Sequence, residues 1–101
     1  MVSYANKLQR PNGEWYFTHV YPTMMQVKMC GNDPVFKVNV RLPRSHEEPT
    51  HWAWRDTDEE DFCMIWPSEV QFKMCFTYGV DAAEKAGKGQ RVRVVVEEIT
   101  D

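Results

Sequence analysis

The chain has 101 residues, 43% of them hydrophobic and 13% aromatic, with a formal net charge of −3. That length holds one domain and one core, and the apolar content supplies the core without metal or disulfide staples. No apolar run is long enough for a transmembrane helix or a secretory leader, and Cys30, Cys63 and Cys75 make no disulfide framework. A reduced, cytoplasmic protein with no membrane contact is expected.

Pro11-Asn12-Gly13 marks a turn, and residues 14–21 after it are apolar on both faces for part of their length, which predicts a central strand. Tyr21-Pro22-Thr23 breaks that strand. In 24–30, MMQVKMC, Met25, Val27 and Met29 alternate with polar neighbours, which predicts a second strand. Gly31-Asn32-Asp33-Pro34 leads as a hairpin turn into 34–42, where Phe36, Val38, Val40 and Leu42 alternate with Lys37, Asn39 and Arg41. A proline-bounded loop covers 43–50. Trp52 and Trp54 share a face of the next strand and 62–66 forms its partner, so Arg55–Asp61 crosses between them as a hairpin tip. Residues 70–78 alternate again, with Val70, Phe72, Met74, Phe76 and Tyr78 inward.

Asp81 as N-cap, Glu84 as its capping-box partner and Gly87 as terminator predict one short helix over 81–86. Residues 91–99 form the last strand, with a slip in alternation near Val95 that suits a bulge. No internal repeat or low-complexity tract stands out. The expectation is a mainly β, single small antiparallel barrel or sandwich of about five to seven strands. Its expected core is Phe17, Val27, Phe36, Val38, Val40, Trp54, Phe72, Met74, Phe76, Val92 and Val94.

Charge is unevenly placed. Residues 1–44 carry six basic and two acidic side chains, residues 45–70 one basic and eight acidic, and residues 71–101 five of each. The acidic excess centres on Asp56, Asp58, Glu59, Glu60 and Asp61, which must face solvent because an unpaired buried carboxylate is costly. Their spacing begins like a calcium loop, but Asp61 stands where that loop needs glycine and Pro67 where it needs glutamate, so an EF-hand is excluded. Two readings remain: a solvated turn that discourages aggregation, or a patch that steers a basic protein. Trp52, Trp54 and Trp66 flank the tip. Large aromatics fill cores by default, and an exposed one would anchor a docking contact.

Lys28, Lys37, Arg41, Lys73, Arg91 and Arg93 all fall opposite the apolar positions of their expected strands. On neighbouring strands they would make a basic sheet face like that of single-strand-binding oligonucleotide barrels. The acidic overall balance and the lack of interleaved aromatics weigh against it. No close pairing of cysteine and histidine suits zinc, and no nucleophile–base or phosphate-loop pattern is present, so no metal, cofactor or catalytic residue is assigned. A short acidic chain of this kind has the profile of accessory or inhibitory proteins, including those of phages and mobile elements. The favoured expectation is a non-enzymatic module that docks through the acidic tip on a protein with a basic surface, with nucleic-acid binding as the alternative.

Overall fold

In the computed structural model, which describes residues 1–100, the chain forms six strands and three short helices. They run β1 (Val2–Gln9), β2 (Trp15–Tyr21), α1 (Met24–Cys30), β3 (Phe36–Arg41), β4 (His51–Asp56), β5 (Cys63–Trp66), α2 (Glu69–Lys73), α3 (Val80–Lys85) and β6 (Gly89–Glu98). All pairings are antiparallel, in the order β2-β1-β3-β6-β4-β5. The mainly β class holds, as a nearly closed barrel-like sheet. The end strands approach one another, with the His19 and Trp66 rings meeting edge-on at 6.2 Å.

Two segments expected as strands are helices instead. Residues 24–30 form α1, and 70–78 divide between α2 and the turns that follow it. Local capping explains both. Thr23 and Ser68 sit in extended backbone and accept from the N–H groups of Gln26 and Gln71, each at 3.2 Å. Each hydroxyl also donates to the side-chain oxygen of the same glutamine, 3.0 Å away. This is a Ser/Thr-x-x-Gln capping motif. Each helix then buries only one residue, Val27 or Phe72, both 0% exposed. Met74, expected in the core, is 80% exposed.

The predicted helix at 81–86 is present one residue earlier, but its expected cap is not. Gly79 occupies the cap position without a side-chain bond, while Asp81 and Glu84 both bind Arg91. Strand β1, which carries little alternation, was not expected.

The two halves of the chain repeat one another, contrary to the sequence reading. Residues 19–30, HVYPTMMQVKMC, align with 64–75, MIWPSEVQFKMC, at Pro22/Pro67, Gln26/Gln71, Lys28/Lys73, Met29/Met74 and Cys30/Cys75. Strand registers extend the match. Tyr4 pairs with Tyr21 and Asn6 with Thr18, as Trp52 pairs with Trp66 and Trp54 with Cys63, with a register shift at the same point in both. Ser3, Tyr4 and Ala5 pair with Val38, Lys37 and Phe36, as His51, Trp52 and Ala53 pair with Val94, Arg93 and Val92. The sheet order is symmetric about the β3–β6 junction, where the equivalent residues Val40 and Val96 pair with each other. The barrel is therefore two strand-strand-helix-strand units related by a pseudo-twofold axis through Val40 and Val96. The second unit adds α3 between its helix and its last strand.

The main core lies inside the sheet and joins both units: Ala5, Val20, Val38, Val40, Ala53, Ile65, Val94 and Val96. A second cluster of Trp54, Phe72 and Val80 lies where α2 and α3 cover one side. His51 is 2% exposed and structural. Its Nε2 lies 2.7 Å from the Phe17 carbonyl and its Nδ1 2.7 Å from the Thr50 hydroxyl, whose oxygen accepts from the Val96 N–H. That chain suits a neutral ring with Nε2 protonated. Burial, the largest influence, pushes its pKa below the usual value, and the charges of Arg93 and Arg10 act the same way.

Candidate docking site at the acidic hairpin tip

The hairpin between β4 and β5 places Asp56, Asp58, Glu59, Glu60 and Asp61 at an exposed tip, as expected. The tip is anchored at its root. The Thr57 N–H donates to the Lys88 carbonyl at 3.0 Å and its hydroxyl to the Gly87 carbonyl at 2.7 Å, while the Glu59 N–H closes the turn on the Asp56 carbonyl at 3.1 Å. Gly89 lets β6 pass close by, since a Cβ there would strike the Arg55 carbonyl and come within 2.8 Å of the Trp54 indole. No ion pair among the described residues engages these five carboxylates. Their charge stays available to solvent or a partner.

A cleft of about 380 Å³ opens beside the tip, between the hairpin and α3. Trp54 and Phe76, with ring centroids 4.9 Å apart, and the alanines Ala82, Ala83 and Ala86 supply its apolar lining. Asp56, Lys88, Met64 and Tyr78 also line it. The Trp54 indole N–H donates to Asp56 Oδ1 at 2.9 Å, which satisfies a buried donor and holds the carboxylate at the cleft.

The three tryptophans flanking the tip are not free platforms. Trp54 is 3% exposed. Trp52 is half-buried, stacked on Phe72 at 6.1 Å with the Arg93 guanidinium 4.2 Å from its ring centroid. Trp66 is half-buried, its indole N–H donating to the Cys75 sulfur at 3.1 Å. The exposed apolar side chains here are instead Met64 and Tyr78, the latter 90% exposed. The alternation rule had turned Tyr78 inward, and nothing in the sequence separated Met64 from its neighbours.

The expected basic sheet face does not assemble. Lys28 lies on α1 and Lys73 on α2, and Lys73 pairs with Glu69 one helical turn away at 2.7 Å. Arg41 on β3 is held by Glu47 at 2.5 Å and Glu97 at 2.9 Å. Its hydrogen bonds hold the Glu47 carboxyl at a pKa of about 2 and lower that of Glu97. Arg91 on β6 is bound by Asp81 and Glu84. Arg93 lies over Trp52 and donates to the His51 carbonyl at 3.2 Å. Lys37, on β3, stays exposed.

The pseudo-twofold partner of the cleft is a second one of about 410 Å³, lined by Asn6, Lys7, Leu8, His19, Asn32, Asp33 and Pro34. Asn6 stands there for Trp54, His19 for Met64 and Leu8 for Asp56. Asn6 is spent on folding: its side chain donates to the Asn32 and Pro34 carbonyls and accepts from the Asn32 N–H. The two clefts thus share a frame and differ in chemistry.

All three cysteines are free. Burial first, then the carboxylate of Asp56, raises the Cys63 thiol pKa, which opposes thiolate formation. Among the described residues, no three His, Cys, Asp or Glu side chains converge as metal ligands, and no helix is long and apolar enough to cross a membrane. Comparison with protein-family models, characterised proteins and solved structures finds no match.

Proposed function

We propose that the protein is a non-enzymatic interaction module, of the accessory or inhibitory kind, that docks on a basic surface of a partner protein. The observation that carries this reading is the juxtaposition of five exposed, unpaired carboxylates with an apolar-lined cleft that holds Asp56 at its side. The two parts do different work. The tip steers a cationic surface and speeds association, but exposed ion pairs contribute only about 0–1 kcal/mol each. Affinity needs a desolvated anchor, worth about 2 kcal/mol or more where it forms a hot spot. The cleft suits a lysine or arginine, whose apolar stem would lie along Trp54 and Phe76 while its head reaches Asp56.

With Trp54 buried and Trp52 and Trp66 half-buried, the exposed Met64 and Tyr78 and the cleft are the surfaces through which the apolar contact would be made. The raised thiol of Cys63 and the structural role of His51 support the non-enzymatic reading. Three free cysteines support a reducing, cytoplasmic setting.

Titration of an arginine- and lysine-rich peptide into ¹⁵N-labelled protein tests this reading. The Trp54 indole N–H and the amides of Ala82, Ala83 and Ala86 should shift together with the tip. Shifts confined to the tip, or none at all, would contradict an anchoring cleft.

A further inference from the structure

The second cleft keeps polar groups that folding leaves free, on a floor that folding makes rigid. Asn6 clamps the 32–34 loop, donating to the Asn32 and Pro34 carbonyls and accepting from the Asn32 N–H. Gly31 packs so closely against this clamp that a Cβ there would strike Asn6 Oδ1. Lys7, His19 and Asp33 stand around that floor.

Each of the three has capacity to spare. Lys7 spends one ammonium proton on Glu98, at 2.7 Å, and keeps the others. Asp33 is exposed, and no ion pair among the described residues engages it. His19 holds left-handed backbone, at φ 51°, and its Nδ1 is buried without a hydrogen-bond partner, close to where a Gly31 side chain would be. An orphaned lone pair is tolerated better than an orphaned N–H, so the ring proton belongs on Nε2, which leaves that nitrogen as the donor. Strained backbone of this kind gathers at binding sites.

The cleft has an apolar neighbour. Lys7 and Pro34 also wall a hollow of about 320 Å³ that Trp15 and Phe36 complete. Trp15 is 60% exposed, an indole face that the fold does not use up.

These local groups select a ligand. An amine alone would satisfy Asp33 and leave the Lys7 ammonium and the His19 N–H without an acceptor. A carboxylate alone would do the reverse. A zwitterion satisfies both ends at once, and charge-assisted hydrogen bonds are the strong ones. An aromatic ring attached to it would fill the neighbouring hollow, where ring contacts add to apolar burial.

We propose that the second cleft binds an aromatic α-amino acid, with its carboxylate on Lys7 and His19, its ammonium on Asp33 and its ring between Trp15 and Phe36. The acidic tip and the first cleft take no part, so this site stands or falls separately from docking of a basic partner.

Titration of L-phenylalanine to about 10 mM into ¹⁵N-labelled protein tests it. The amides of Lys7, Leu8, His19 and Asp33 and the Trp15 indole N–H should shift together, with a Kd of about 1 mM or below. Phenethylamine, which lacks the carboxylate, and hydrocinnamate, which lacks the ammonium, should each bind about tenfold more weakly or not at all. Asp33→Asn should weaken phenylalanine binding about tenfold without weakening hydrocinnamate, and Trp15→Ala should weaken all three ligands. Both side chains are exposed, so the rest of the amide spectrum should stay as in wild type. Absence of shifts in the cleft at about 10 mM overturns the proposal. So does phenethylamine or hydrocinnamate binding as tightly as phenylalanine, or an Asp33→Asn variant that binds phenylalanine unchanged.

Discussion

His19 and Met64 hold the same left-handed backbone, with φ 51° and 52°, at equivalent points of β2 and β5. Each lies in the stretch where strand register shifts, and each is followed two residues later by the aromatic that ends its strand. This conformation costs a non-glycine residue about 1–2 kcal/mol, and the chain bears it twice to bend both end strands at the closure. Met64 is 41% exposed, so little packing is lost on shortening it. Met64→Gly should stabilise the fold by up to about 1 kcal/mol, read as a rise of a few degrees in the thermal midpoint. A fall of similar size would show that the methionine contact outweighs the strain.

The paired helices give a second expectation. Val27 and Phe72 occupy one structural position in the two halves, each as the sole residue that its helix buries. Phe72→Ala removes the ring that stacks on Trp52 and meets Phe76 at 5.3 Å, and should cost about 3–5 kcal/mol. Val27→Ala, with less volume lost, should cost about 1–3 kcal/mol. Urea denaturation of both variants checks the order, which equal losses would contradict.

Stability should fall in two steps as pH decreases. The folded chain holds His51 below its ordinary value of 6.5, whereas the unfolded chain protonates near that value. The unfolded state therefore binds more protons below about pH 6.5, and stability from this source, fully present above it, is lost towards lower pH. Glu47, held at about 2 by Arg41, adds a separate loss between 4.5 and about 2. Denaturant midpoints should drop between about pH 7.5 and 5.5, and His51→Gln, which keeps a donor for the Phe17 carbonyl, should flatten that first step.

Short single-stranded DNA and RNA should not bind appreciably at physiological salt. Arg41, Arg91 and Lys73 are committed to carboxylates, Arg93 to Trp52, and Lys28 and Lys73 lie off the sheet. Fluorescence anisotropy checks this. A micromolar complex whose affinity falls steeply with salt would revive the basic-face reading.

The sequence carried the β class and the acidic tip because both rest on rules the chain obeys locally. Residues 36–41 alternate cleanly, and five carboxylates in six positions cannot be buried. It misled at 24–30 and 70–78 because a short helix with a single buried residue looks like a strand when polar and apolar residues happen to alternate. Thr23 and Ser68, three residues before Gln26 and Gln71, were the available signal. The repeat stayed hidden because its identities cluster in one short stretch, while the flanking strands keep only their pairing. Cleft and anchors were out of reach, since α3 meets Trp54 only through the tertiary fold.

Docking of the tip and cleft is tested most directly by affinity capture from lysate of the native host with three baits. These are wild type, Asp58→Asn with Glu59→Gln and Glu60→Gln, and Ala82→Trp, which fills the cleft from an exposed position. The account predicts that one partner recovered by wild type is strongly depleted by both variants, with the neutralised tip slowing association and the filled cleft speeding release. Equal recovery of the same partners by all three baits would contradict it and leave the acidic tip as a solvated turn.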